Sequence, residues 1–455
     1  MESFTKKVSD NNVDPRKLAF TEKRENVPGY KKSKRRVLTN RGVIWLGQTC
    51  NLRCHFCYFL DRINSKFHPE HSFMSIEKAK KICSILVDYY NNKAVDIQGG
   101  EPTIYSHIYE LVKHCRKIGL LPTLITNALI LANPDECKRL KESGVRDLLI
   151  SIHGLGETFD KIVGVPGAHK KQMIALKNLQ ELGVPFRFNS VLSKMALPEL
   201  TKIAELAIQT DARVVNFIAF NPFEDQQKEG KRSSKNVPKY SEVVPFLTDA
   251  MDCLNEAGIE CNIRYFPICM VEERHRKSVY NFQQLPYDIH EWDFASWSWT
   301  GMQPQRMKDG DISPVMSLKE ATFCPISYPK LLENILERGR NSLSNFPKLM
   351  KIAKAIHKKI SIAINNYNID DKDIENLYRE NARLRAREHC HYVYSESCKL
   401  CSIQNICDGF HGDYAYIFGT DEAKPIIASS KISDPKYFIV EQEKIVEEED
   451  YEWAL

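Results

Sequence analysis

Cys50-Asn51-Leu52-Arg53-Cys54-His55-Phe56-Cys57-Tyr58 follows directly on the apolar run Gly42 to Gly47, and its reading decides the rest. Three thiols spaced CxxxCxxC at a strand end put three soft ligands on one tight loop, the set that iron–sulfur clusters take. A structural zinc would need a fourth local ligand. His55 is the candidate beside them, but neighbours on a tight loop do not both turn inward without strain. Three ligands on a four-iron cube leave one iron open to a substrate or cofactor. The bland alternative is three buried free cysteines.

Outward from this loop, Arg41 to Phe266 alternates short β-branched runs with longer amphipathic ones, the pattern of βα units and a parallel sheet. The strand candidates are Gly42 to Gly47, Ala94 to Gln98, Pro122 to Thr126, Asp147 to Ile152, Phe186 to Leu192 and Val214 to Phe220. Helix periodicity fills Ser75 to Tyr90, Ile108 to Ile118, Pro134 to Ser143, Lys170 to Leu182 and Pro198 to Thr210. Gly119, Gly144 and Gly183 stand where a helix end wants a left-handed cap. Six units in series predict an α/β fold, an incomplete (β/α)6 barrel with its chemistry at the C-terminal strand ends. The second strand leads into Asp96-Ile97-Gln98-Gly99-Gly100-Glu101-Pro102-Thr103, 42 residues after Cys57.

A three-Cys loop after the first strand and Gly-Gly-Glu-Pro after the second resemble the radical S-adenosylmethionine superfamily. The resemblance implies that Cys50, Cys54 and Cys57 hold a [4Fe–4S] cluster, and that Gly99, Gly100 and Glu101 hold S-adenosylmethionine. Two glycines let backbone approach a ligand closely, and a carboxylate matches its ammonium. Asn127, Ser151, His153, Asn189 and Asn221 lie at or near the other strand ends, and Asn127, Ser151 and Asn189 are expected to bind the cofactor. By resemblance Ser151 and Asn189 contact the ribose and carboxylate, although His153 stands where many relatives carry Asp. An electron donor such as flavodoxin or ferredoxin is implied as partner.

Near the C-terminus, Cys398-Lys-Leu-Cys401-Ser-Ile-Gln-Asn-Ile-Cys407 resembles the SPASM and twitch regions that carry a second, auxiliary [4Fe–4S] cluster. Zinc is the competing occupant of a CxxC knuckle. The fuller SPASM pattern has a further Cys where this chain has His411, which points to one auxiliary cluster and not two. Cys269, where the chain leaves the barrel in Pro-x-Cys, is the favoured fourth ligand, ahead of Cys390 and Cys324. Cys83, Cys115, Cys137, Cys253 and Cys261 are expected in the core without thiol neighbours.

The 455 residues are 43% hydrophobic, 27% charged and 10% aromatic, a globular composition. No apolar stretch reaches about 18 residues and none precedes residue 40 as a signal core, so a cytoplasmic location without a membrane span is expected. Lys plus Arg (64) less Asp plus Glu (59) gives +5, too little to argue nucleic-acid binding. The basic run Lys31 to Arg36 and acidic run Glu447 to Asp450 read as solvated ends. The expected division is a basic extension over 1–40, the barrel over 41–266, and a mostly helical and irregular domain over 267–455 with its Cys-rich segment at 390–412. Within the last, Trp292, Trp297 and Trp299 suggest a lid or packing segment, and Phe346 to Ile364 an amphipathic helix with a lysine face.

The reaction expected is an oxidoreductase-type hydrogen abstraction from a small molecule or cofactor precursor, similar in plan to the GTP cyclase of molybdenum-cofactor synthesis. Peptide maturation is the alternative, lowered because 49 residues before Cys50 are few for a leader-binding domain. A non-catalytic zinc or nucleic-acid module is the remote third.

Overall fold

Strands of five or six residues buried on both faces must be covered by helices, and right-handed crossovers then place each strand parallel to the last. The computed structural model, which describes residues 28–57, 73–88, 92–221, 233–291 and 390–455 with scattered positions between 342 and 387, has this arrangement. A short strand β1 (Tyr30–Ser33) precedes β2 (Arg41–Trp45), β3 (Ala94–Gln98), β4 (Leu121–Thr126), β5 (Asp147–Ser151), β6 (Phe186–Leu192) and β7 (Val214–Ala219). These last six are the strands the sequence indicates. The curled parallel sheet continues through β8 (Glu260–Arg264) and β9 (Val279–Tyr280), so it has eight strands among the described residues, in order β2 to β9.

The crossovers are α1 (Ile76–Asp88), α2 (Ile108–Lys117), α3 (Pro134–Ser143), α4 (Gly156–Val163), α5 (Ala168–Glu181), α6 (Leu200–Gln209) and α7 (Tyr240–Glu256). Gly119, Gly144 and Gly183 take the left-handed conformation expected of them. Helices α4 and α7 were not foreseen. Phe159, Ile162 and Val163, buried on α4 ahead of Gly164 as cap, carry the periodicity that would have revealed the first. Cys83 of α1 and Cys115 of α2 correct another expectation: their sulfurs are 3.6 Å apart in the core. The Trp-rich stretch from Trp292 and most of the lysine-faced helix lie outside the described residues. No described helix is long and apolar enough to cross a membrane.

The two terminal charge runs pair with each other: Lys31, Lys32, Lys34 and Arg35 are exposed as expected, whereas Glu447 and Asp450 of the acidic run are buried. β1 pairs antiparallel with β10 (Lys444–Glu447), Tyr30 opposite Glu447, and the acidic run docks under the N-terminal ends of the barrel strands. Arg146 Nη1 lies 2.7 Å from Asp450 Oδ2, and the fully buried Lys444 lies 2.5 Å from Glu260 and 3.1 Å from Asp288. Inside the barrel Arg41 reaches Asp96 at 3.0 Å and Thr123 at 2.8 Å, while Arg187 reaches Asp147 at 2.9 Å. The sequence hid this because charge counts do not say which residues alternate inward; the strand starts supply Arg41, Asp147, Arg187 and Glu260, and the tail supplies partners. Burial alone would raise the carboxyls of Asp147 and Asp288. Arg187, Arg146 and Arg41 around the first, and Lys444 and Arg264 around the second, outweigh it and hold both below their ordinary 3.8.

Two outcomes follow from this network. Lys444→Ala leaves Glu260 and Asp288 buried without their ammonium and is expected to destabilise the fold by about 3–5 kcal/mol in urea unfolding. Because Asp147 and Asp288 are depressed in the folded state, their stabilisation is complete above about pH 4 and is lost as pH falls further toward their folded values. Acid titration of unfolding should therefore show the parent losing stability below pH 4 more steeply than Asp288→Asn.

Candidate active site and metal centres

β2 ends at Trp45, and the chain turns through Gly47, Gln48 and Thr49 into Cys50. The Gly-Gly-Glu corner after β3 runs against this turn: the Gly100 amide donates to Gly47 O at 2.8 Å and the Glu101 amide to Thr49 O at 2.9 Å. A Cβ on Gly100 would lie 2.0 Å from Thr49 O, and one on Gly99, at φ +147, would lie 2.6 Å from Gly47 O. The glycines thus admit the close approach of one backbone to another. On its other side the Cys loop hangs from the end of α4, with the Arg53 amide on Val163 O at 2.8 Å and the His55 amide on Ile162 O at 3.2 Å. Leu52 and Phe56 bury into the cluster of Phe159, Ile162, Val163 and Phe220.

Cys50, Cys54 and Cys57 lie near enough to act on one another. Burial foremost, then Glu101 and Cys57, pushes the Cys50 thiol up to about 12, although the Leu52 amide donates to its sulfur at 3.4 Å. Cys54 is raised by burial, then by Cys57 and Cys50. Such thiols become thiolates when a cation takes the proton's place.

Glu101, 1% exposed, does not hold its carboxylate open. Oε1 accepts from the Thr103 amide (2.9 Å), Thr103 Oγ1 (2.6 Å) and Thr126 Oγ1 (2.5 Å), and Oε2 accepts from the Asn127 amide (2.7 Å). It ties the end of β3 to the end of β4. Asn127 continues the tie, its Nδ2 donating to Asn51 Oδ1 of the Cys loop at 2.7 Å. Ser151 and Asn189 are register neighbours on β5 and β6, and Asn189 Oδ1 is buried with no hydrogen-bond partner among the described residues. His153 is buried edge-on to Phe56, with ring centroids 4.6 Å apart, and its Nδ1 accepts from the Val191 amide at 3.2 Å. Burial and His55 pull it down to about 3, so the ring is neutral with its proton on Nε2. Asn221 is structural: Tyr240 OH donates to its Oδ1 at 2.7 Å.

A second set of thiols meets where the tail returns to the barrel. Cys269, in the turn after β8, lines one pocket together with Cys398, Cys401 and Cys407. The Ile426 amide donates to Cys401 Sγ and the Gly409 amide to Cys407 Sγ, each at 3.4 Å. Burial and then Cys269 raise the Cys407 thiol. Cys390 packs instead beside Phe282, Ala386 and Tyr392, and His411 caps α8 (Gly412–Phe418) by accepting from the Asp413 amide. Cys324 lies outside the described residues.

Residues 46–206 match the model of the Radical SAM superfamily. They are a radical SAM domain. The PqqA peptide cyclase of Bradyrhizobium diazoefficiens is 31% identical over 36% of this chain and 42% of its own, and the AdoMet-dependent heme synthase of Methanosarcina barkeri 30% over 38% and 48%. The chain thus spans less than half the length of these curated relatives. Among solved structures, SuiB of Streptococcus suis bound to S-adenosylmethionine aligns over 50% of each chain at 20% identity with a TM-score of 0.40.

The radical SAM family implies a [4Fe–4S] cluster and S-adenosylmethionine, and the residues present fit both. Three thiols on one loop, two of them (Cys50 and Cys54) pushed up by burial and by their neighbours, suit a cationic centre, and Asn189 Oδ1, without a partner among the described residues, offers an acceptor at the same edge of the sheet. At the tail pocket Cys269, Cys398, Cys401 and Cys407 converge, a donor set that an iron–sulfur cube or a tetrahedral zinc takes. Four thiols ringing a pocket, with amide donors on two sulfurs, suit a cube in which each thiolate binds a different iron.

Glu101→Gln sets an amide NH2 against donors in either orientation, so it should cost about 1–3 kcal/mol of stability before any cofactor is added, together with weaker S-adenosylmethionine binding. Thermal unfolding of the cofactor-free protein checks this; unchanged stability with lost affinity would mean that the carboxylate touches the cofactor and not the strand ends. At the second centre, Cys269→Ala should deplete the tail cluster while sparing the first, and Cys390→Ala should leave both. Mössbauer spectra of the two variants separate these outcomes.

Proposed function

We propose that this chain is an enzyme that reductively cleaves S-adenosylmethionine and uses the resulting 5′-deoxyadenosyl radical to abstract hydrogen from an organic substrate. The observation that carries the reading is the Cys50–Cys57 loop, clamped between the Gly-Gly-Glu corner and α4 at the C-terminal edge of the sheet. When bound there, a [4Fe–4S] cluster supplies the electron that breaks the sulfonium bond. Cys50, Cys54 and Cys57 would hold it. Gly99, Gly100, Glu101, Asn127, Ser151 and Asn189 are the assigned cofactor-binding residues, and the first four also fix the loop. Phe56, Phe220 and His153 wall the site with aromatic edges, which helps keep water from a reactive carbon radical.

Cys269, Cys398, Cys401 and Cys407 are assigned to the auxiliary cluster. Were all four thiols around that pocket to hold one cube, none of its irons would be left open to substrate, which would set it apart from the open-iron plan of the GTP cyclase. The small-molecule or cofactor-precursor substrate stays the first reading on the partly exposed set Gln98, Ile125, Ser151, Asn189, Val191 and Ile218, small polar and aliphatic groups along the strand ends. Similarity to the PqqA peptide cyclase favours the second, a peptide substrate.

Anaerobically reconstituted protein should bind about eight irons as two cubes. Replacing Cys50, Cys54 and Cys57 together with Ala should halve the iron and abolish 5′-deoxyadenosine formation under reductant. Iron analysis and chromatography of the nucleoside check both, and stoichiometric zinc in place of the second cube would reject the auxiliary-cluster assignment.

A further inference from the structure

The buried face of α5 is apolar at Met173, Ala175, Leu176 and Leu179, and a glutamine interrupts it. Gln172 is 0% exposed. Its Nε2 donates to Asn127 O at 3.0 Å and to Ser151 O at 2.9 Å, so both amide hydrogens are used on backbone. Carbonyls only accept, which fixes the nitrogen of the amide on their side. Oε1 is then turned away, buried and with no hydrogen-bond partner among the described residues. A buried acceptor left open costs stability, so packing alone does not call for an amide here.

What the amide holds is the edge of the site. Thr126 lies opposite Ile150 in the β4–β5 ladder, so Asn127 and Ser151 are the next pair along, just past the end of β4. Two carbonyls cannot bond to each other, and Gln172 supplies the donor that joins these strand ends. There the chain turns sharply: Ala128 has a left-handed φ of +63, unfavourable for a residue with a Cβ. Its amide donates to Thr126 Oγ1 at 2.9 Å, the hydroxyl that Glu101 also engages, and Asn127 Nδ2 goes on to Asn51 beside Cys50. The far end of the turn is pinned by α5 as well, where Asn178 Nδ2 donates to Leu131 O at 2.9 Å and to Ala132 O at 3.2 Å. Gln180 makes a comparable bond at the opposite end of the sheet. Its Nε2 donates to Thr210 O at 2.9 Å, ahead of β7, and its Oε1 is likewise without a partner among the described residues.

We propose that Gln172 is a positioning residue for S-adenosylmethionine: its amide fixes Asn127 and Ser151 relative to each other and, through Asn127 and Asn51, to the Cys50–Cys57 loop, so that a bound cofactor meets the loop in one orientation. The inference rests on the radical S-adenosylmethionine reading of this site. Gln172 acts through the backbone of the two residues it joins. An error of about 1 Å in such a placement costs about a hundredfold in rate.

The test compares Gln172→Met with Gln180→Met in the cluster-loaded full chain. Each change keeps the length of the side chain and removes an amide donor of α5, one at either end of the sheet. Equilibrium dialysis with labelled S-adenosylmethionine should show Gln172→Met binding weakened about tenfold or more and Gln180→Met within about twofold of the parent, with equal iron in all three. Hydrogen exchange of the cofactor-free chain should quicken at the Ala128 and Ile152 amides in the first variant only. Parent-like binding by Gln172→Met, or equal weakening in both variants, would overturn the proposal and leave the glutamine a packing residue. If Gln172→Met does not fold, Gln172→Asn, whose amide is one methylene short of the two carbonyls, replaces it with the same expected loss, and parent-like binding there overturns the proposal. A parent protein that holds its first cluster and still binds no S-adenosylmethionine would overturn the reading beneath it as well.

Discussion

A close crossing of two backbones underlies everything at the barrel mouth. The turn after β2 and the corner after β3 share two amide–carbonyl bonds, Gly100 to Gly47 and Glu101 to Thr49, in a space with no room for a Cβ at Gly99 or Gly100. Any side chain there would have to displace backbone, since nothing flexible stands in the way. The crossing fixes where Cys50 leaves the sheet. Glu101 then extends the constraint sideways, because its carboxylate gathers donors from Thr103, Thr126 and Asn127, and Asn127 reaches back to Asn51. Three strand ends and the Cys loop are in this way held as one rigid piece, which suits a site where a reactive fragment must be aimed.

The two ends of the sheet are built on opposite principles. At the N-terminal ends charges are buried and paired, Arg41 with Asp96, Arg187 with Asp147, Lys444 with Glu260 and Asp288, and the tail completes the set. Pairs of this kind add little net stability against an apolar core, but losing one partner is expensive, so the tail is held in one register. At the C-terminal ends Gln98, Ser151 and Asn189 are only partly buried, and Asn189 keeps an acceptor without a partner. Ion pairs close one end; at the other, the open acceptor of Asn189 is available to a ligand.

Between barrel and tail the contact is largely aromatic. Tyr240 of α7 stacks on Tyr414 of α8 with ring centroids 3.9 Å apart, and Phe266 and Phe410 pack against Tyr240. Offset stacking adds about 0.5–1.5 kcal/mol beyond the area it buries. Asp408 joins from the tail, accepting from the Phe282 amide at 2.8 Å and from Gln283 at 3.1 Å. These contacts bring Cys407 to Cys269 across 138 residues of sequence.

Local spacing determined a good deal by itself. CxxxCxxC is its own geometry, because eight residues of loop cannot separate three thiols, and six strands and the helix caps follow from periodicity and glycine, which act within a few residues. The CxxC knuckle of the tail was legible for the same reason. Roles that depend on what lies opposite were not: Gly99 and Gly100 face backbone, Glu101 is engaged by neighbouring strand ends, Cys83 meets Cys115 between two helices, and Lys31 to Arg36 and Glu447 to Asp450 belong to a paired, partly buried clamp. Cys269 was singled out by its place at the barrel exit, yet only folding puts it on the rim of the pocket that Cys398, Cys401 and Cys407 line. A sequence states which groups are near along the chain. Which charge is neutralised, which carboxylate is already occupied and which thiol finds a partner depend on groups hundreds of residues away, and only packing in three dimensions sets those distances.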